Sequence, residues 1–155
     1  MAQYGYFSSP AGLIRIIADE ESLTGIHFAD SKTEEESVSP VILDTKQWLS
    51  DYFSCLRPDP ACLPIRLQGT AFQLAVWEIL KEIPYGKAVT YGDIAKRFGR
   101  PMSAQAVGNA VGRNPVSIII PCHRVLGANR KISGYTGGLH KKRFLLQHEN
   151  IPYME

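Results

Sequence analysis

Thr90-Tyr91-Gly92-Asp93-Ile94-Ala95-Lys96-Arg97-Phe98-Gly99-Arg100-Pro101-Met102-Ser103, continued by Ala104-Gln105-Ala106-Val107-Gly108-Asn109-Ala110-Val111-Gly112-Arg113, decides the fold class. Thr90, with Asp93 three residues on, is a helix-capping pattern, each side chain placed to satisfy an open amide of the first turn. It predicts a short helix to about Phe98, buried through Ile94, Ala95 and Phe98. Gly99 to Met102 read as a turn, and Ser103 caps a second helix to about Arg113. Two short helices joined by a tight glycine-containing turn are a helix-turn-helix signature. The second helix is nearly without bulk, and glycine inside a helix costs about 1 kcal/mol relative to alanine. Either it packs closely on another helix, or something large, such as a nucleic-acid backbone, must approach it. It offers few long polar side chains for base edges, so a shape or minor-groove contact fits it better than sequence reading.

Upstream, Thr70 and Gln73 form a capping box ahead of an apolar stripe through Phe72, Val76, Ile79, Leu80 and Ile83. Pro84 to Lys87 end that helix. Residues 55–69 contain Pro58, Pro60 and Pro64 and read as a linker with a short extended piece around Ile65 to Leu67. Before it, Ser39-Pro40 starts a helix that runs to about Ser54. Runs at Tyr4–Phe7, Leu13–Ile17 and Leu23–Phe28, separated by turn-like stretches, predict an antiparallel meander. His27 lies alone among apolar residues and reads as structural. No chemistry is legible in residues 1–66.

Downstream, Asn114-Pro115 breaks the small-residue helix. A buried apolar run, Ile118 to Ile120, then meets Pro121-Cys122-His123-Arg124-Val125. Pro121 lacks an amide proton and favours an extended Ile120, so the run should stop there and the chain turn. The thiolate is the reactive form of cysteine, and positive neighbours lower a thiol pKa, which is the expectation at Cys122. The alternative is a cysteine that merely fills the core behind a strand. Gly127 to Gly138 form a long loop, a helix from Lys141 to about Glu149 presents Phe144, Leu145 and Leu146, and the remainder reads as a short tail.

Composition narrows the class. The chain of 155 residues carries a net charge of +2, but residues 1–66 balance at −5 and residues 67–155 at +7. A basic half beside an acidic one points the second half at a polyanion, most simply nucleic acid. Three widely spaced cysteines (Cys55, Cys62, Cys122) make neither a disulfide framework nor a zinc cluster, which fits a reducing cytosolic or nuclear compartment. No run is long enough to span a membrane, and no leader pattern opens the chain.

From about Gln68 to Glu149 the chain resembles the 6-O-alkylguanine-DNA alkyltransferases. The resemblance centres on Asn114-Pro115, Pro121-Cys122-His123-Arg124-Val125, Gly134-Tyr135-Thr136-Gly137-Gly138-Leu139 and His148-Glu149. It implies an α+β protein in two domains. Residues 1–66 would be a ribonuclease-H-like sheet and helix domain, and residues 67–155 a mainly helical, winged-helix-like domain that binds DNA and carries the chemistry. It implies direct, irreversible, single-turnover transfer of an alkyl group from guanine O6 to Cys122, on a nucleotide flipped from duplex DNA. His123 would be the base, acting through a water and oriented by Glu149. Tyr91 would donate to the flipped guanine and Asn114 would brace the turn. Val111, Val125, Tyr135 and Thr136 would line the guanine pocket. Arg124 would serve fold or surface as much as catalysis.

For DNA contact the resemblance points to Ser103, Ala104 and Gln105, with Arg100 and Arg113 as phosphate partners. Many family members have arginine where this chain has Gln105, so the group filling the gap left by the flipped base brings no charge here. The implied partner is double-stranded DNA containing alkylated guanine, met by a monomer with no obligate protein partner, no membrane, no metal and no cofactor. Two other classes remain open from the residues alone: a binding module that flips damaged bases without chemistry, and a thiol hydrolase of another kind. Such binding modules replace the nucleophile, and this chain keeps Cys122; no hydrolase motif is recognisable.

Overall fold

The computed structural model describes residues 2–98 and 103–155. The chain forms two compact units, Met1–Leu67 and Gln68–Glu155.

The first unit is a three-stranded antiparallel sheet, β1 (Gln3–Ser9), β2 (Gly12–Ala18) and β3 (Leu23–Phe28), in the order β1-β2-β3. This is the predicted meander. Along β2 the buried side chains Ile14, Ile16 and Ala18 alternate with half-buried ones, as a sheet with one covered face requires. The first turn closes through Gly12 at φ 133°, a conformation open to glycine. Helix α1 (Pro40–Phe53), capped by Ser39 as expected, covers the sheet through Ile42 and Leu49. It comes so close that a Cβ on Gly5 would sit 2.5 Å from Ile42 Cγ2, so glycine is required there. The acidic segment before α1 is tied down by Tyr6, whose hydroxyl accepts from the amides of Thr33 (3.0 Å) and Glu34 (3.1 Å) and donates to Glu34 Oε1 (2.6 Å). Ile65 pairs with Leu23 through a single parallel bridge, which is the expected extended piece.

The second unit is mainly helical. It contains α2 (Ala71–Lys81), β4 (Val89–Thr90), α3 (Tyr91–Lys96), α4 (Ala104–Gly112), β5 (Val125–Leu126) and α5 (Leu139–His148). The capping boxes at Thr70/Gln73 and Thr90/Asp93 and the Ser103 cap all form. Among the described residues, no helix is long and apolar enough to cross a membrane.

Three features depart from expectation. The apolar run Ile118–Ile120 is buried but makes no strand; it winds through successive turns, with Ile118 at φ 72°. A β-branched residue there is a steric outlier, held by the packing around it. β4 and β5, a two-residue parallel pair joining Val89 to Val125 and Thr90 to Leu126, left no periodic trace in so short a stretch. The final residues are not a loose tail: Ile151 is buried with Leu126, Ile132 and Leu146, and Lys131 bridges to Met154. That pairing shortens the loop read as running from Gly127 to Gly138.

Candidate active site

The turns after Asn114 deliver Cys122. Asn114 accepts from the Val116 amide (3.0 Å) and donates to the Ile120 carbonyl (2.7 Å), closing the loop that the three isoleucines fill. Cys122 then opens a single 3-10 turn, Cys122–Arg124, whose three side chains are all buried. It lies on the wall of a cavity of about 280 Å3, shared with Tyr91 from α3, Gly108, Val111 and Gly112 from α4, and Gly134, Tyr135 and Thr136 from the loop before α5. A Cβ on Gly112 or Gly134 would meet nothing within 4 Å, and one on Gly108 would rest 3.8 Å from the Tyr91 ring. These glycines therefore keep the cavity open and are not demanded by packing between helices. Close packing falls to the other face of α4, where Val107 and Ala110 are buried and Trp77 donates its indole N–H to the Ala110 carbonyl (2.9 Å).

Behind Cys122 stands a buried ionic cluster. Glu149, the C-terminal cap of α5, is only 3% exposed. Its Oε2 meets His123 Nε2 at 2.6 Å and accepts from Arg124 Nη2 at 3.1 Å. Its Oε1 accepts from Arg124 Nε at 2.8 Å and from the Gly86 amide at 3.0 Å. Both carboxylate oxygens are thus filled by donors, about the number of sites a carboxylate offers. The third arm of Arg124 donates to the Ile83 carbonyl (2.7 Å), and its guanidinium lies 5.6 Å from the centre of the Tyr85 ring. Burial opposes a charge on Glu149, but the hydrogen bonds from His123 and Arg124, with the guanidinium charge of Arg124, outweigh it and hold the carboxyl far below its ordinary range.

An ionised Glu149 fixes the tautomer of His123. Nε2 must carry the proton that points at the carboxylate, which leaves Nδ1 as a bare lone pair. Nδ1 is buried and has no hydrogen-bond partner among the described residues. Burial also lowers the His123 pKa, against the pull of Glu149, so the ring is neutral and Nδ1 is free to take a proton.

The expectation that adjacent positive charge lowers the Cys122 pKa is corrected. Burial pushes the thiol up, against the opposing influence of the Asn114 side chain, the Lys142 ammonium and the Tyr135 phenol. The physical reason is direction: Arg124 spends its charge on Glu149, and His123 is neutral. Cys122 rests as a thiol that needs a base when it reacts.

Val125 is buried in β5 and absent from the cavity wall, with its carbonyl taken by Lys142 Nζ at 2.7 Å. Val111, Tyr135 and Thr136 do line the cavity, and Thr136 closes one edge by donating to the Gly112 carbonyl (2.7 Å). Ser103, Ala104, Gln105 and Arg113 are exposed at the two ends of α4, while Arg100 lies outside the described residues. A second cleft, about 300 Å3, is lined by Ile79, Ile83, Val89 and Ile94 and holds no nucleophile. Among the described residues, no three His, Cys, Asp or Glu side chains gather as metal ligands.

A family model described as the 6-O-methylguanine DNA methyltransferase DNA-binding domain matches residues 71–151, and one described as the ribonuclease-like domain of the same proteins matches residues 2–58. The chain belongs to the 6-O-methylguanine DNA methyltransferase family. A methylated-DNA–protein-cysteine methyltransferase of Haemophilus influenzae is 44% identical over 98% of this chain and 88% of the relative. One of Methanosarcina acetivorans is 42% identical over 94% of this chain and 97% of its own. The Mycobacterium tuberculosis member crystallised in complex with DNA is 38% identical, with a TM-score of 0.84 over 95% of this chain and 92% of that one.

Within that family frame, Arg124, expected to serve fold or surface, serves the fold, and three further residues escaped the sequence reading. Arg124 is the second clamp on Glu149; a guanidinium inside a core must find a carboxylate, and few remain in this half of the chain. Lys142 is fully buried and donates to the carbonyls of Val125, Ser133 (3.0 Å) and Gly134 (3.4 Å). Its signal was available: Lys142, Leu145, Leu146 and Glu149 share one helical face by spacing. Asn109 is exposed one turn after Gln105, on the same face of α4. Ser133 donates to the Tyr91 hydroxyl at 3.2 Å, and no pattern announces such a contact across 42 residues.

Proposed function

We propose that this protein repairs DNA by moving an alkyl group from guanine O6 directly and irreversibly onto Cys122, once per molecule. The observation that carries the proposal is a buried thiol on the wall of an open cavity, next to a histidine whose Nδ1 lone pair is free and whose other nitrogen is held by a buried, ionised glutamate. That is the equipment for displacement at a saturated carbon by a thiol that is deprotonated on demand.

In this step the thiol proton passes to His123 Nδ1, through an intervening water. The sulfur electron pair forms the S–C bond. The C–O6 bond breaks with its pair left on the purine, and Tyr91 donates to that base as it departs. Net, the proton lost by sulfur ends on guanine, which leaves neutral, and Cys122 becomes a thioether. No second step restores it. Glu149 stabilises the imidazolium while it lasts, in the manner of the third member of such relays. Asn114 shapes the turn, and Val111, Tyr135 and Thr136 enclose the base.

A guanine stacked in a duplex cannot reach this cavity, so the nucleotide is flipped at a cost of a few kcal/mol. α3 and α4 act as the helix-turn-helix of a winged-helix-like domain, entering the minor groove with Ser103, Ala104 and Gln105, and with Arg100 and Arg113 near phosphates. Residues 1–66 form a ribonuclease-H-like domain with a structural role, and residues 67–155 carry DNA binding and chemistry. The protein works as a cytoplasmic monomer on duplex DNA containing alkylated guanine.

Incubation with an oligonucleotide carrying O6-methylguanine tests this by mass spectrometry. The peptide bearing Cys122 should gain about 14 Da, one CH2, at no more than one equivalent. Transfer that persists in Cys122→Ser overturns the assignment.

A further inference from the structure

We infer that Ser133 is a positioning residue for the transfer, setting the direction in which the Tyr91 phenol donates its proton. This rests on the alkyltransferase proposal and goes beyond it.

A phenol oxygen has one proton and room to accept. Here Ser133 Oγ donates to Tyr91 Oη at 3.2 Å, so one acceptor direction is filled. Among the described residues, none accepts the phenol's own proton. With Ser133 on one side, the O–H rotor is left to point into the cavity whose wall Tyr91 shares with Cys122. Donation into the oxygen also makes that proton easier to give, offsetting the burial that pushes the Tyr91 phenol up.

Ser133 can do this because its backbone is fixed on both sides. The preceding amide, Ile132 N–H, donates to the Met154 carbonyl at 2.7 Å. The Ser133 carbonyl accepts from Lys142 Nζ at 3.0 Å, and the same ammonium lies 6.0 Å from the centre of the Tyr91 ring. One buried cation therefore holds the serine and faces the ring that the serine orients. An isolated hydroxyl on a mobile loop would lose the directional effect to its own freedom; this one is anchored by α5 and by the end of the chain.

The test is single-turnover transfer from an O6-methylguanine duplex, measured for the wild type, Ser133→Ala, Ser133→Thr, Tyr91→Phe and the Ser133→Ala/Tyr91→Phe double variant. Ser133→Ala should slow transfer by about tenfold, the worth of one net hydrogen bond, with duplex affinity unchanged. Ser133→Thr, which keeps the hydroxyl, should restore the rate to within about twofold. In the Tyr91→Phe background the serine substitution should cost less than about twofold, because its acceptor is gone. If Ser133→Ala loses its thermal transition, Ser133→Cys keeps the volume with a weak donor and should show the same pattern. A wild type that transfers while Ser133→Ala stays within about twofold of it overturns the inference, as does an equal loss in both Tyr91 backgrounds. A wild type that fails to transfer at all overturns the alkyltransferase proposal itself.

Discussion

The two units of this chain solve opposite problems. Among the described residues of 2–67 no charged side chain is buried, and the core is apolar but for Ser39 and Thr45: alternating strands, one amphipathic helix, and an acidic segment pinned by a tyrosine hydroxyl. In residues 68–155 the core itself contains an arginine, a glutamate, a histidine and a lysine, and the apolar run beside them is wound into turns. Burying charge is expensive unless each group is paired and hydrogen-bonded, and here the donors and acceptors are matched almost atom for atom. Among the described residues, the one buried ring nitrogen left bare, His123 Nδ1, is the atom the proposed chemistry needs.

The contrast can be broken most forcefully at Arg124. Arg124→Ala strands Glu149 with an uncompensated charge, and loss of one partner from a buried ion pair costs about 3–5 kcal/mol. Urea unfolding should show that loss; a change below about 1 kcal/mol would mean that the cluster is solvated.

Acid should act on the same cluster. His123 is held neutral in the folded state with its pKa lowered, so below about pH 6.5 the unfolded chain binds a proton that the folded chain refuses. Stability from this group is complete above that pH and declines as pH falls toward the folded pKa. Glu149, depressed as well, contributes above its ordinary range and loses that contribution only in stronger acid. Between pH 6.5 and 5, amide protection around Cys122–Leu126 should fall by up to about 2 kcal/mol. Residues of β2 that exchange through opening of their own unit should change less, because His27 on the paired strand, its pKa also lowered by burial, is only half-buried. Equal loss in both places would show that titration is not localised in the cluster.

A smaller effect is expected in the first unit. Tyr6→Phe removes the hydroxyl that serves two amides and a carboxylate, and should cost about 1 kcal/mol of stability. Transfer activity should remain unchanged; a slowed transfer would show that the first unit takes part in the chemistry. Smaller still, Gln105→Arg should tighten duplex binding and steepen the dependence of log K on log salt by about one unit. An unchanged slope would place residue 105 away from the DNA.

The same contrast explains what could be read from the sequence. The meander, the helices and their caps were legible because each is written in a local period or a local pair, such as Thr70 with Gln73 or Thr90 with Asp93. Cys122 was singled out by its neighbours, His123 and Glu149 were given their roles through resemblance, and the structure brings those two together across 26 residues. What escaped was non-local. The turns of Ile118–Ile120 have the composition of a strand, and only the bracing by Asn114 and the surrounding core make them turns. The raised thiol pKa escaped for the same reason: adjacency in sequence suggested activation by charge, while geometry sends that charge to Glu149. Lys142 could have been found from its helical face. Ser133 could not, since nothing local marks its partner.

In the proposed mechanism Cys122 rests as a buried thiol and loses its proton to His123 only as it reacts. The pH dependence of single-turnover transfer tests this most directly. With a neutral His123 as base and a thiol that stays protonated, the rate should change by less than about threefold between pH 6.5 and 7.5, a window below the pKa of about 8 to which burial lowers Lys142. A rate that climbs about tenfold per pH unit across that range would show attack by a thiolate formed in advance, and would contradict the account.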